Sequence, residues 1–418
     1  MSDERSRTVS AIQDDPKAVL ITLLARELHR AGVASDQLEE TITSAADMLG
    51  LQIEIFALPT NVQIAIGPRY AQQIVMLRLQ PGAVNLRRLA VINDTFDQLQ
   101  SGKIDIAAAT EQLRHIDRRT PLPFPLLSIA SLAMVAFGVA VILGGGVNEL
   151  VVAALIGAVT GIISAFGRRF AVVDRLFEVI AAFTGTLIVA AYTHWVAPTN
   201  LYISIVAGVV VLLPGYSLTL ALHELANQDL IAGTARLGRV LMILLSLGCG
   251  ALLGFAVVGP HFLDAAQIVP HPVRSTFWIA AAVIMSIGLS IDLNARRRDV
   301  VWVFLACFVA LASSHVFGDL PIHQVGAFMS AFICGLVANL GARFLRVPQP
   351  VFLVPALHVL VPGSLSYRSV LYIFSAKYDD AATLAFNAIV VGILIVAGLL
   401  LSQLIVPAST LRFQRHRA

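Results

Sequence analysis

Leu212-Leu213-Pro214-Gly215-Tyr216-Ser217 lies inside one apolar stretch, and Leu360-Val361-Pro362-Gly363-Ser364-Leu365-Ser366 lies inside another. Proline removes a helical N–H and glycine frees the backbone, so each copy is expected to break a membrane helix within the hydrocarbon. A broken helix that recurs in two halves of a chain is how transporters build a binding site near the membrane midplane.

The offset between Pro214 and Pro362 aligns more than the signature. Apolar runs fall in two series: 126–143, 150–166, 176–196, 201–222 and 237–258, then 276–293, 300–317, 325–340, 351–365 and 384–405. Five spans per half is an odd number, so the second half must enter the membrane from the opposite side. The expected fold is an α-helical polytopic membrane protein of about ten transmembrane helices in two inverted five-helix repeats, 121–258 and 275–406.

Composition points the same way. The chain is 57% hydrophobic and 13% charged, whereas soluble domains carry roughly 25% charged residues. A net charge of +3 is too small to imply a nucleic-acid partner. Cys249, Cys307 and Cys334 fall in apolar spans without metal-ligand spacing and read as small core residues, so neither metal nor cofactor is implied. Arginine-rich stretches at 115–119, 167–175, 294–299, 341–346 and 412–417 share one side of a ten-span arrangement. The connections 144–149, 197–200, 257–274 and 318–322 carry few basic residues. Both termini are therefore expected in the cytoplasm, with 367–380 outside despite Arg368 and Lys377. The polar start, 2–17, has no cleavable signal pattern.

Residues 1–120 read as a separate cytoplasmic α+β domain. Asp36 and Glu39 suggest an acidic capping box, followed by Leu38, Ile42, Ala45 and Leu49 at helical spacing until Gly50. Alternation in Leu51, Ile53, Ile55 and in Val62, Ile64, Ile66 about Pro59-Thr60-Asn61 predicts a hairpin. A third strand at 74–79 and helices at 85–100 and 105–117 follow. Pro121, Pro123 and Pro125 stiffen the entry to the first span.

Arg30-Ala31-Gly32, the strand ending Ala57-Leu58-Pro59-Thr60, the two Pro-Gly signatures and Gly233-Thr234-Ala235-Arg236, in that order, resemble the threonine/serine exporter (ThrE-type) family over essentially the whole chain. Gln228 stands where that pattern leads one to look for glycine. The resemblance implies proton-motive-force-dependent efflux of a small hydrophilic amino acid across the bacterial inner membrane. In some bacteria the two halves of the family are separate subunits linked to export of small dicarboxylates, so a dicarboxylate such as succinate stays open.

The residues suggest how such a solute would be held. A zwitterion entering the bilayer must exchange water for protein hydrogen bonds, because unpaired charges there cost many kcal/mol. The half-helix starts at Pro214, Gly215 and at Pro362, Gly363 offer N–H groups to a carboxylate, and the carbonyls before them suit an ammonium. Ser217, Thr219, Ser364 and Ser366 add hydroxyls. The bland alternative is a pair of packing kinks. His358, four residues before Pro362, is the first proton-coupling candidate, against a neutral histidine bonded to a carbonyl. Glu224 and Glu178 come next, against surface solvation or an intrahelical pair. His194 and Tyr192, beside Trp195, read as interfacial anchors.

Gly157 with Gly161, and Gly248, Gly250 and Gly254, read as close helix packing. Asn339 and Asn387 would line a path or tie helices together. His261, Asp264 and His271 read as a loop set among prolines rather than a metal site, and His115 near Asp117 as a solvated surface. No catalytic constellation is present, so the chain is read as no enzyme. The expected function is a secondary amino-acid exporter working by alternating access on a small-molecule substrate in the lipid bilayer, with a homo-oligomer left open. The competing class is a membrane sensor whose cytoplasmic domain relays ligand binding.

Overall fold

The computed structural model describes residues 15–80, 82–119, 124–259, 271–273, 277–318, 323–345, 347–360, 363–374 and 377–407. The N-terminal part comprises α1 (Pro16–Arg30), α2 (Ser35–Leu49), β1 (Ile53–Leu58), β2 (Asn61–Ile66), β3 (Gln73–Arg78), α3 (Leu86–Gln100), α4 (Ile106–Arg114) and α5 (Ile116–Arg119). Pro16 stands in the first turn of α1, and Asp15 caps it by accepting from Lys17 N–H at 2.9 Å. Gly50 ends α2 at φ +69°, the left-handed conformation that glycine adopts without a Cβ penalty. Pro59-Thr60 turns β1 into β2, with Leu58 opposite Asn61, and the antiparallel sheet runs β1-β2-β3. Val62, Ile64 and Ile66 on one face of β2 are buried in one apolar cluster with Leu20, Leu24, Leu38, Ile42 and Ile92.

Two expectations change here. The helix expected over 105–117 divides at His115 into α4 and α5. The capping box does not form: α2 starts at Ser35, after Ala34, without a side-chain cap. Glu39 instead accepts from Ala57 N–H at 2.6 Å, and Asp36 bonds Asn227 across 2.9 Å. Both carboxylates are held by partners distant in sequence.

The membrane part is α6 (Pro125–Ile142), α7 (Val147–Gly167), the short α8 (Ala171–Arg175), α9 (Phe177–Trp195), α10 (Leu201–Gly208), α11 (Gly215–Ala226) and α12 (Leu230–Val258). Then follow α13 (Phe277–Asp292), α14 (Val300–Gly318), α15 (His323–Leu345), α16 (Pro350–Leu360), α17 (Gly363–Phe374) and α18 (Tyr378–Ile405). Among the described residues, 8 helical segments are long and apolar enough to cross a membrane, or 9 with the chain over α10 and α11 counted as one span bent by 59°. One of the 8 is the stretch 350–373, which embraces α16 and most of α17. The apolar α13 is shorter, at 16 residues.

Packing partners recur along the chain. α7 lies against α9 and α10, as α14 lies against α15 and α16; α12 lies against α9, α11 and α17, as α18 lies against α15, α17 and α11. α6 packs on α13. The glycine rows serve this packing: a Cβ on Gly157 would stand 2.6 Å from Leu132 O, and one on Gly250 would stand 2.3 Å from Val179 O. Asn339 ties helices together, accepting from Gln349 Nε2 at 2.8 Å and donating to Ser402 Oγ at 3.3 Å. Part of the stretch 367–380, expected as a loop, is helical to Phe374, and Tyr372 packs edge-on against Tyr202 at the start of α10.

At one end the N-terminal part meets the membrane helices. Leu86 N–H donates to Leu293 O at 2.9 Å and Arg87 N–H to Asn294 O at 3.1 Å, just past α13. Arg296 pairs with Asp94 at 2.6 Å. At the other end of the helices Glu149, 4% exposed, accepts from Gly146 N–H at 2.8 Å and from Asn200 N–H at 2.7 Å, joining two connections. Gln228, between α11 and α12, has φ +66°, so the position expected to hold glycine does require the left-handed conformation.

Candidate functional site

The chain between α10 and α11 narrows to a 3₁₀ turn, Val210–Leu212, because Pro214 supplies no N–H; Gly215 then starts α11. In the second half α16 ends at Leu360 and α17 starts at Gly363. Val361 and Pro362 lie outside the described residues. The 3₁₀ turn, Tyr216 of α11, the end of α16 and the start of α17 border one cavity of about 270 Å³, which α6 and α13 close with Val139 and Met285. Small-molecule sites are mostly apolar hollows with a few placed polar groups. Here the wall is aliphatic, and its polar side chains are Tyr216, His358 and Ser364.

His358 belongs to α16, and its ring stacks on Tyr216 of α11, centroids 5.9 Å apart with 15° between planes. Its Nδ1 lies 2.8 Å from Val354 O. A carbonyl only accepts, so Nδ1 carries the hydrogen and Nε2 of the neutral ring is an acceptor. The pairing with a carbonyl and the place beside the break are therefore both present in one residue.

The structure gathers some expected site residues and leaves others apart. Gly363, Ser364 and His358 line the cavity, with Leu213 and Tyr216 flanking the buried Pro214 and Gly215. Ser217, Thr219 and Ser366 lie outside its wall. Thr219 Oγ1 and Tyr367 Oη are buried with no hydrogen-bond partner among the described residues. Glu178 is half-buried in the first turn of α9.

Glu224 is completely buried rather than solvated. Its carboxylate accepts from Arg236 of α12, Nε at 2.9 Å and Nη2 at 2.7 Å, and from Ser35 N–H at 3.2 Å. His223 Nε2 stands 3.3 Å from Asp36. Burial raises the Asp36 carboxyl, but the hydrogen bond and charge of His223, with Asn227, hold it below the usual range. His261 and Asp264 lie outside the described residues.

Two residues were missed in the sequence. Tyr216 sits inside the quoted signature, where it reads as filler, yet it is the aromatic partner of His358. Asp292 hides at the end of an apolar run. It follows Met285 and Leu289, both in the cavity wall, at helical spacing, which sets it on the same stripe of α13 nearer the N-terminal part. Among the described residues no charged side chain forms an ion pair with it. An unpaired acid at the end of a membrane helix is a functional candidate by default.

Comparison with known proteins places the chain among membrane proteins. No solved structure matches the chain. An uncharacterized protein of Schizosaccharomyces pombe is 25% identical over 355 residues, 80% of this chain and 42% of the relative. Pheromone-regulated membrane protein 10 of Pichia sorbitophila is 23% identical over 84% of the chain and 36% of its own length; that of Eremothecium gossypii is 23% identical over 84% and 48%. The chain thus spans less than half the length of these relatives. The threonine/serine exporter profile ThrE matches residues 19–258, and a second profile described as Threonine/Serine exporter, ThrE, matches 278–405. With these two matches covering the N-terminal part, both Pro-Gly signatures and the cavity-lining residues, the chain belongs to the threonine/serine exporter family.

Proposed function

We propose that the protein is a secondary active exporter of small hydrophilic amino acids, threonine and serine, driven by the proton-motive force across the bacterial inner membrane. The observation that carries this reading is that the bent span of the first half and, in the second half, the end of α16 and the start of α17 border a single cavity. Ten spans follow when α13 and the bent pair α10–α11 are each counted as one. The recurring packing partners support two five-helix repeats, 121–258 and 275–406. Inversion is supported by direction: α11 ends at the N-terminal part, through His223 and Glu224, whereas α17 ends beside Tyr202. With the N-terminal part cytoplasmic, one half rocks against the other around the site.

The chemistry suits a zwitterion. The first N–H groups of α17, at Gly363, Ser364 and Leu365, have no partner within the helix and carry its positive end toward a carboxylate. His358 Nε2 is an acceptor for the ammonium. A proton on Nε2 and an ammonium beside it exclude each other, so one nitrogen exchanges a proton for a substrate. Asp292, on the stripe leading from the cavity, is a second group able to hand that proton on. The wall contains no lysine or arginine among the described residues, which leaves the two charges of a dicarboxylate without a cation.

Counterflow in proteoliposomes tests the reading. Labelled threonine and serine should accumulate transiently in vesicles preloaded with unlabelled substrate, and succinate should not. Uptake of succinate alone would overturn the amino-acid assignment. Binding of threonine without exchange would mark a sensor.

A further inference from the structure

The N-terminal part grips the membrane helices at two places, and at one of them the charge is buried. Glu224 is buried between α11, α12 and the start of α2, taking two hydrogen bonds from Arg236 and one from Ser35 N–H. One residue earlier His223 meets Asp36, and three residues later Asn227 donates to the same carboxylate at 2.9 Å. Side chains of α11 thus occupy the N-terminal end of α2, where free N–H groups and the helix dipole favour a carboxylate. The opposite end of α11 carries Tyr216, about 12 Å away at 1.5 Å per residue.

We propose that the N-terminal part is a positioning element of the transport site: it fixes the far end of α11 through Glu224, and α11 fixes Tyr216 against His358. Glu224 and Arg236 are then positioning residues, and the exchangeable proton stays with groups at the cavity. The proposal rests on the transport reading only for the functional consequence, since the positions of Tyr216 and His358 can be measured without substrate. Its physical basis is rigidity. α11 is a single helix of 12 residues with no internal proline, so a displacement of its end carries Tyr216 along.

Ser35→Pro is the discriminating variant. Ser35 is the first helical residue, where proline is well tolerated, and Ala34 is already extended at φ −62°, ψ 152°. The substitution therefore keeps α2 and removes the N–H that binds Glu224. Ser35→Ala, which keeps that N–H, is the control, and Glu224→Gln tests the same link from the other side. In a background lacking Cys249, Cys307 and Cys334, cysteines replacing Tyr216 and His358 are cross-linked with a short bifunctional thiosulfonate. The yield should fall several-fold in Ser35→Pro and Glu224→Gln and stay at the parent level in Ser35→Ala. In chains that retain Tyr216 and His358, the same two variants should raise KM for threonine several-fold with Vmax nearly unchanged. Parent-level cross-linking in both variants would overturn the proposal. Reduced cross-linking in both variants, together with a parent that does not transport threonine, would uphold the positioning and refute the substrate.

Discussion

Replacing His358 with glutamine should abolish accumulation of threonine against a gradient while exchange at equal pH persists. Glutamine retains hydrogen-bonding capacity at the break but cannot titrate. The tie from Nδ1 to Val354 O leaves Nε2 as the one imidazole atom facing both proton and substrate, so losing titration uncouples the two fluxes without emptying the cavity. The measurement is uptake into vesicles with and without an imposed pH difference. Accumulation that survives would make His358 structural and shift coupling to Asp292, whose conversion to asparagine is then decisive.

Leucine at Gly215 or Gly363 should lower transport by about tenfold or more, equivalent to at least 1.4 kcal/mol of lost transition-state stabilisation. Gly363 lies in the cavity wall, and a four-carbon side chain there occupies substrate space and covers the N–H groups at the start of α17. Gly215 starts α11 directly after Pro214, so leucine there meets the buried side of the first break. Both substitutions add apolar surface to a membrane segment, and insertion should be unaffected. Expression and thermal melting in detergent separate folding from flux. Parent-level flux in both variants would reduce the Pro-Gly pairs to packing kinks.

Much of the architecture was legible because hydropathy and chain breakers act locally. Runs of about 20 apolar residues announce spans, and Gly50, Pro59-Thr60 and Pro214-Gly215 mark ends that the structure has. The limits of spans were less legible. α12 starts at Leu230 rather than 237 because Asp229 caps it there, while Gly233, Thr234 and Arg236 in its first two turns hide the apolar pattern. α17 continues to Phe374 through Arg368, which sequence alone assigned to a loop.

The site divides in the same way. His358 and the two glycines were visible, because a titratable ring beside a proline stands out in an apolar run. Contacts between distant segments were not. Glu224 read as a surface acid near the membrane edge, and only the fold brings Arg236 and Ser35 to it. Asp36 and Glu39 had capping-box spacing, yet each found a stronger partner elsewhere. Asp292 escaped notice because one acid scarcely lowers the hydropathy of its helix, and its alignment with Met285 and Leu289 matters only once those two face a cavity.

The most direct test of the central claim, that substrate sits between the two breaks, is protection of a cavity cysteine. In a chain lacking Cys249, Cys307 and Cys334, Ser364→Cys is alkylated by a small maleimide in the presence of increasing threonine. The account predicts that threonine slows alkylation several-fold, with half-effect near its transport KM, and that succinate does not. An alkylation rate unchanged by saturating threonine, in a variant that still exchanges threonine, would contradict it.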